Sequence, residues 1–284
     1  MKKMERNRYL FKMYYFGNSN YYGSQRQPNL LTIEECVLDA LKAKNYVKSI
    51  KTSGFEAASR TDKFVSARGA CFTCVLEKKP ILMEINSALP VDIGLWAYAK
   101  VPPDFLSRYN AILRYYLYLV PFSHSTYQNT HDIDIAIMQR ACGELEGRHD
   151  FVNFSKREKD EKVTIKDMDL AKLSIKNGYL VFQFKSRAFL RQQVRRMVRK
   201  ILELGLGEIN YDDFLKLFDP TQTLSYQPAD PKGLILWDVK YDSKIHFEED
   251  KKSKERMEIF FLDKELNAKF KAQLFRILQH NDFS

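Results

Sequence analysis

The order of strand-like and helical segments on either side of Pro102-Pro103 is the feature that most constrains the fold. Because proline fixes φ and lacks a backbone N–H, this pair interrupts regular structure. Before it, the pattern predicts a strand, a helix and two strands, at residues 9–16, 33–44, 70–76 and 95–101. After it, the pattern predicts a strand, a helix, a hairpin, a helix and a strand, at residues 113–120, 133–145, 170–184, 189–204 and 233–241. This order predicts two similar α+β halves that pack side by side.

Two local signals support these elements. Thr32 is followed by Glu35 at the spacing of a capping box, in which the threonine hydroxyl accepts from the Glu35 N–H and the carboxylate reaches back to the Thr32 N–H. Asn177-Gly178 lies between two alternating strands, and both residues tolerate the positive φ angles of a type I′ turn. The sequence therefore predicts a helix that begins at residue 33 and a tight hairpin at 177–178.

The charge of the chain is strongly basic. Its 284 residues include 46 Lys and Arg against 36 Asp and Glu, a formal net charge of +10, and 45% are apolar, enough for a real core. The positive excess favours a polyanionic partner, nucleic acid first and an anionic membrane surface second. Charge alone also fits a basic soluble protein without such a partner.

The N-terminal residues 1–8 have no apolar segment behind them of the kind that signal peptides carry. No run of about 18 apolar residues is present that could span a membrane. We therefore expect a cytoplasmic protein with no membrane association.

The four cysteines are Cys36, Cys71, Cys74 and Cys142, and the middle two form a C-x-x-C pattern. This pattern raises a metal or redox role, but no second pair completes a zinc set. The surrounding run reads as a strand, in which residues three apart point to opposite faces. We interpret the cysteines as reduced packing residues and expect no metal site.

Residues 58–67 place a single carboxylate, Asp62, between Arg60 and Lys63, just before an apolar strand. Neighbouring cations keep a carboxylate ionised at neutral pH, which suits a nucleophile or a base. Arg-Thr-Asp also makes a good turn or helix cap, because Thr and Asp side chains bond to nearby backbone N–H groups. On local evidence alone the cap is the better interpretation.

The predicted helix 189–204 and the strand 113–120 carry further candidates. Arg191, Arg195 and Arg199 recur every four residues of the helix, and Arg196 and Lys200 lie beside them. Five cations with no acid before Glu203 indicate a ridge that faces a polyanion, although a solvated helix surface is the plain alternative. In the strand, alternation predicts Tyr116 and Tyr118 on one face and Tyr115 on the other, as part of a core or a stacking site.

Several short motifs occur together in a fixed order. They are Arg-Thr-Asp at 60–62, Gln-Arg-Gln-Pro at 25–28, Leu-Pro-Val-Asp-Ile at 89–93, Arg-Tyr-Asn-Ala at 108–111, Arg-Tyr-Tyr-Leu-Tyr at 114–118, Val-Arg-Arg-Met-Val at 194–198 and Gly-Leu-Ile-Leu at 233–236. This set resembles the tRNA pseudouridine synthase A family over about residues 9–241. The sequence departs from the family pattern at Phe16, Ser24 and Phe64, where Asp, Trp and Gly are usual.

The resemblance implies an α+β fold in which the mixed, mostly antiparallel sheets of two similar α/β halves join into one platform. Helices would flank the platform and a basic cleft would lie between the halves. We divide the chain into an N-terminal half at 1–103, a C-terminal half at 104–245, and a tail at 246–284 with a charged linker at 248–256 and an amphipathic helix at 266–278. The tail lies outside the resemblance, and packing on the core, a dimer contact and RNA contact all stay open for it. The family also implies a homodimer.

The resemblance implies isomerisation of uridine to pseudouridine in tRNA, near positions 38 to 40 of the anticodon stem-loop, with base flipping. It assigns Asp62 as the nucleophile or base, Tyr116 as the residue that stacks on the flipped uracil, and Arg195 as the partner of Asp62. It implies substrate contacts for Arg60, Arg108 and Leu234, and the basic ridge adds Arg191 and Arg199 as expected substrate contacts. The reaction needs no cofactor. Modification of other tRNA positions, and an inactive tRNA-binding paralogue, are the alternatives.

Overall fold

The computed structural model describes residues 6–122, 133–157 and 163–279. Residues 1–5, on which the signal-peptide prediction partly depends, and the last five residues of the predicted tail lie outside the described residues. None of the helices in the described ranges combines the length and the apolar character that crossing a membrane requires.

The described strands form one ten-stranded sheet in the order β10-β4-β1-β3-β9-β5-β8-β7-β6, with β2 beside β3. The strands are β1 (Asn7–Tyr15), β2 (Glu56–Ala57), β3 (Ser66–Leu76), β4 (Ile93–Val101), β5 (Leu113–Pro121), β6 (Gly147–Asp150), β7 (Ile165–Lys176), β8 (Tyr179–Ser186), β9 (Leu234–Lys240) and β10 (Glu248–Glu249). All pairs within the described ranges are antiparallel except β3 with β9. The predicted α+β class with one mixed, mostly antiparallel platform is confirmed.

Helices flank this sheet. They are α1 (Ile33–Ala43), α2 (Leu82–Asn86), α3 (Ile135–Glu144), α4 (Gln193–Gly205), α5 (Tyr211–Leu215) and α6 (Lys251–Gln279). The Thr32 hydroxyl accepts from the Glu35 N–H at 3.3 Å, as predicted, whereas the Glu35 carboxylate bonds to Arg26. Asn177 and Gly178 adopt φ angles of 49° and 76°, which confirms the tight hairpin. Most buried apolar residues of both halves belong to one continuous cluster, and Tyr14, Trp96 and Ala97 form a second cluster with Met257 and Phe260 of α6.

The charge-dense segment 248–256 is not a linker, so this prediction was wrong. Glu248 and Glu249 pair with β4, and α6 begins at Lys251. The Asp250 carboxylate accepts from the Ser253 N–H at 2.8 Å and thereby starts the helix. The charged residues suggested a linker because they lie on the outer face of the helix. Its inner face buries Ser253, Met257 and Phe260.

The predicted helix 189–204 begins later than its apolar pattern indicates. Gln192 adopts φ of 59°, a left-handed conformation that cannot continue an α-helix, and α4 starts at Gln193. The Gln193 side chain accepts from the Leu190 N–H at 2.7 Å, which fixes the preceding turn. Arg191 therefore precedes the helix and is not part of a helical ridge.

The four cysteines are buried and free. Burial raises the pKa of the Cys71, Cys74 and Cys142 thiols to about 12, because the apolar surroundings disfavour the thiolate. Metal binding and redox exchange both require the thiolate. The structure thus agrees with cysteines that serve in packing.

Candidate functional site

The candidate site lies where the two halves of the sheet meet. Ser66 and Ala67 at the start of β3 pair in parallel with Ile235 and Leu236 at the start of β9. Because the strands are parallel, their N-terminal ends lie at the same edge of the sheet. The loop 58–65 before β3 and the turn 229–233 before β9 are thereby brought together, although more than 160 residues separate them along the chain.

Asp62 and Arg195 form an ion pair across this junction, as the resemblance implied. Arg195 Nη1 lies 2.5 Å from Asp62 Oδ2, and the side chains are 9% and 38% exposed. Arg195 Nε donates to the Ala229 carbonyl at 2.7 Å, and the Ala229 N–H donates to the Arg195 carbonyl at 3.0 Å. Two nitrogens of the guanidinium are therefore bonded, and the 38% exposed Asp62 side chain stays accessible to a ligand.

Tyr116 lies next to this pair on β5. Its side chain is 6% exposed and meets the edge of Phe189 at a ring distance of 5.0 Å. Burial raises the pKa of its hydroxyl, and the nearby Asp62 carboxylate acts in the same direction. Leu234 on β9 lies beside Tyr118 and Leu236 beside Tyr116, so these side chains share one face of the sheet. The predicted pairing of Tyr116 and Tyr118 on one face is confirmed.

The first half holds the Asp62 loop through Thr61. The Thr61 N–H donates to Ser24 Oγ at 2.8 Å, the Ser24 N–H donates to the Thr61 carbonyl at 3.0 Å, and the Thr61 hydroxyl bonds to Tyr15 at 2.8 Å. Ser24 is one of the positions at which the sequence departs from the family pattern. Its small hydroxyl here anchors the loop beside the carboxylate.

The second half holds the same loop through Arg114, which sequence reasoning did not select as a site residue. This 6% exposed side chain donates to Ser59 Oγ at 3.0 Å and to the carbonyls of Ala58 and Arg108 at 2.7 and 2.8 Å, and it also bonds to the Arg187 carbonyl. Burial lowers the pKa of its guanidinium. The sequence signal that could have identified Arg114 is a cation within an aromatic strand. Such a cation is buried, and a buried cation must find acceptors.

A backbone turn directly after Asp62 shapes the site. Phe64 adopts φ of 69°, a conformation that costs a non-glycine residue about 1–2 kcal/mol. Phe64, which stands where the family pattern has glycine, thus adopts a backbone conformation that suits glycine. Gly17, two residues after β1, packs against this turn so closely that an added Cβ would lie 2.3 Å from the Phe64 carbonyl carbon.

The predicted substrate cations do not form one ridge. Arg60, Arg108 and Arg191 are exposed on separate loops. Arg199 is on α4 but lies 2.5 Å from Glu203 and 3.9 Å from Glu208, while Arg196 is buried against Tyr226. The continuous ridge was a wrong prediction, because the helix starts after Arg191 and its cations point in different directions.

Lys63, which the sequence already placed beside Asp62, and Lys232, which sequence reasoning did not select, both lie beside the Asp62 turn. Lys63 Nζ lies 3.8 Å from the centre of the Tyr22 ring, and the exposed Lys232 lies 5.6 Å from the centre of the Phe64 ring. Together with Arg60 they surround Asp62 with positive charge, which suits a polyanionic ligand. Within the described ranges, no group of three His, Cys, Asp or Glu side chains could hold a metal ion.

A family profile described as tRNA pseudouridine synthase matches residues 141–242. A relative from Methanosphaera stadtmanae named tRNA pseudouridine synthase A is 34% identical over 262 residues, which cover 91% of this chain and 92% of the relative. One of the same name from Archaeoglobus fulgidus is 35% identical over 244 residues, 86% of each chain. A chain in a solved Cbf5–Nop10–Gar1 complex aligns over 69% of this chain and 45% of its own, at 13% identity and a TM-score of 0.37.

We expect Gly17→Ala to lower the free energy of unfolding by about 1–3 kcal/mol, because the new methyl group meets backbone atoms that cannot rotate away. The matched control is Gly143→Ala on α3, where an added Cβ meets nothing within 4 Å. This control should leave stability unchanged or raise it by up to about 1 kcal/mol. Urea unfolding measures both, and equal stability of the two variants would contradict the close packing of Gly17 on the Asp62 turn.

Proposed function

The chain belongs to the tRNA pseudouridine synthase A family, and we propose that it isomerises uridine to pseudouridine in tRNA. The observation that carries this proposal is the Asp62–Arg195 ion pair beside Tyr116, at the junction of the two halves. A single carboxylate, fixed by a guanidinium and bordered by an aromatic ring and exposed cations, has the chemistry that this reaction requires.

The reaction breaks an N–C glycosidic bond and remakes it as a C–C bond. The uracil must detach, rotate and rejoin without escaping, so the site needs a fixed carboxylate, a flat surface for the base and limited access of water. In our proposal Asp62 acts as the nucleophile or base, and Arg195 orients it. Tyr116 stacks on the uracil while Leu234 packs at its edge.

The target nucleotide leaves the RNA stack before reaction, as enzymes that act on a base commonly require. Arg60, Arg108, Arg191 and Arg199 contact tRNA in this proposal. Arg60 lies between Ser59 and Thr61 in the loop that these two residues anchor, which favours it as a contact to the flipped nucleotide. No cofactor takes part. We place the reaction in the cytoplasm, at positions 38 to 40 of the anticodon stem-loop, and propose that the enzyme acts as a homodimer.

Two alternatives stay in the same family. One is modification of uridines elsewhere in tRNA, which mapping pseudouridine in tRNA after incubation with the purified protein would reveal. The other is an inactive tRNA-binding paralogue. The presence of Asp62, Tyr116 and Arg195 together disfavours this second alternative, because a chain that only binds tRNA has no use for an oriented carboxylate.

We expect Asp62→Asn to slow pseudouridine formation by about 10³-fold or more, since the amide can act neither as nucleophile nor as base. Affinity for tRNA should stay within about threefold, because phosphate contacts supply most of it. Asp104→Asn, on an exposed loop, is the matched control and should behave as the wild type. Turnover of the Asp62 variant near the wild-type rate would refute the assignment.

Arg195→Lys should reduce the single-turnover rate by about 100-fold while changing tRNA affinity little. An ammonium cannot bond to both Asp62 and the Ala229 carbonyl with the fixed planar geometry of a guanidinium. Misplacement of the carboxylate by about 1 Å is enough for such a loss. Arg148→Lys, in an exposed pair with Asp167, serves as the control. A rate loss that merely follows lost affinity would make Arg195 a phosphate contact.

Binding should weaken steeply with salt, with log K falling by about 0.7–0.9 per neutralised phosphate for each tenfold rise in salt. We expect Arg60→Ala to flatten this slope by about one unit. Arg199→Ala should change it less, because Glu203 and Glu208 already balance that guanidinium. Filter binding across a salt series provides the slopes, and an unchanged slope in the Arg60 variant would exclude this residue as a phosphate contact.

A further inference from the structure

The turn after Asp62 carries an aromatic ring that the shape of the turn does not require. Backbone contacts fix this turn, because the Val65 N–H donates to the Asp62 carbonyl at 3.2 Å and the Gly17 N–H donates to Ser66 Oγ at 3.0 Å. A glycine at position 64 would keep both hydrogen bonds and would adopt the φ of 69° without strain. Phe64 therefore adds a side chain to a turn that could form without it.

The Phe64 ring does not fill the core either. It is half-buried, and within the described ranges it is not among the apolar side chains that pack on either core cluster. It lies instead beside the ammonium groups of Lys63 and Lys232, which are 5.3 and 5.6 Å from the centre of the ring. Residues in sparsely populated backbone conformations are concentrated at active sites and ligand-binding loops. The role of this ring is therefore expected in ligand binding.

Phe64 belongs to a series of contacts in which aromatic rings alternate with ammonium groups. Lys63 Nζ also lies 3.8 Å from the centre of the Tyr22 ring, and Tyr22 is 45% exposed. The resulting aromatic–lysine row consists of Tyr22, Lys63, Phe64 and Lys232. Its first three members belong to the first half, whereas Lys232 is on the turn before β9 in the second half. The row therefore crosses the junction of the two halves directly beside Asp62.

We propose that the aromatic–lysine row is a subsite for the nucleotide beside the target uridine, and that Phe64 stacks on the base of this neighbour. This inference rests on the proposed function. Aromatic rings interleaved with cations bind single-stranded nucleic acids, because every base has a flat π face and the cations follow the phosphates. A lysine ammonium is at the end of a flexible stem. A base can therefore displace it from the Phe64 ring, and the ammonium can then contact a phosphate.

The neighbouring base, and not the target uracil, is the one that Phe64 meets. In the proposed function the uracil stacks on Tyr116, which is on β5 of the second half. Phe64 is on the loop of the first half, two residues after Asp62, and so borders the same site from the other half. The family pattern has glycine at this position, which offers no stacking surface. Binding by this chain should therefore depend more strongly on the base beside the target than binding by a chain with glycine.

A thermodynamic cycle between the ring and the neighbouring base tests this inference. The RNA is a stem-loop around the uridine that pseudouridine mapping identifies, in which the 5′ or the 3′ neighbour is replaced by an abasic nucleotide. Affinities are measured with the full-length Asp62→Asn chain, so that no product forms. Removal of the stacked base should weaken binding about tenfold when Phe64 is present, and less than about twofold when Phe64→Gly is added. Equal losses in the two chains for both neighbours would overturn the proposal.

Two further substitutions in the same Asp62→Asn chain separate the flat ring from its bulk and its backbone. Phe64→Tyr keeps the ring and should keep the dependence on the neighbouring base. Phe64→Leu keeps an apolar side chain at the same φ but has no π face, so it should lose this dependence as Phe64→Gly does. The matched control is Phe275→Leu near the end of α6, where the ring is 57% exposed, and it should keep the full dependence. A Phe64→Leu chain that keeps the dependence, or a control that loses it, would refute stacking by Phe64.

Pseudouridine formation by the wild-type chain on the same RNA separates this inference from the proposed function. If the wild type forms pseudouridine there and the cycle shows no coupling, the subsite is refuted and the proposed function stands. If the wild type forms no pseudouridine in any tRNA, the proposed function and the subsite are both refuted.

Discussion

Two residue pairs, Ser66 with Ile235 and Ala67 with Leu236, hold the strands of the first half beside those of the second. So short a parallel ladder needs support from side chains. Lys12 on β1 reaches across β3 to form an ion pair with Asp238 on β9. Gly69 lies beneath this contact, where an added Cβ would lie 2.8 Å from Asp238 Oδ1 and from the Trp237 carbonyl. The lack of a side chain at this position lets the two strands approach.

The parallel pairing also decides where the candidate site is located. Strand β9 comes late in the sequence, but it lies in the middle of the sheet between β3 and β5. Its position brings the turn at Ala229 to the loop of Asp62, and α4 follows because Arg195 is bonded to Ala229. A site built on a sheet junction gains rigidity from both halves, and the proposed reaction, in which a detached base must be retained, requires such rigid support.

Two buried arginines connect the site to its framework. Burying a guanidinium is costly unless its N–H groups find acceptors. Removal of one partner then leaves an uncompensated buried charge. Arg114 meets this condition with three backbone carbonyls and Ser59, and Arg195 does so with Asp62 and the Ala229 carbonyl. Arg114 determines where the loop lies, whereas Arg195 determines where the carboxylate oxygens point.

Local patterns in the sequence were sufficient for most strands and helices, for the hairpin at Asn177 and for the Thr32 cap, because these depend on neighbouring residues. The ordered motifs further singled out Asp62, Tyr116 and Arg195, which the structure brings together. Local patterns could not predict that Gln192 turns left-handed before α4, or that the charged segment from Glu248 pairs with β4, because both depend on contacts with distant residues. The anchoring role of Arg114 and the dispersal of the arginine ridge were likewise decided by tertiary structure. A side chain's spacing fixes its direction on an element, but only packing between elements fixes which acceptors and charges it meets.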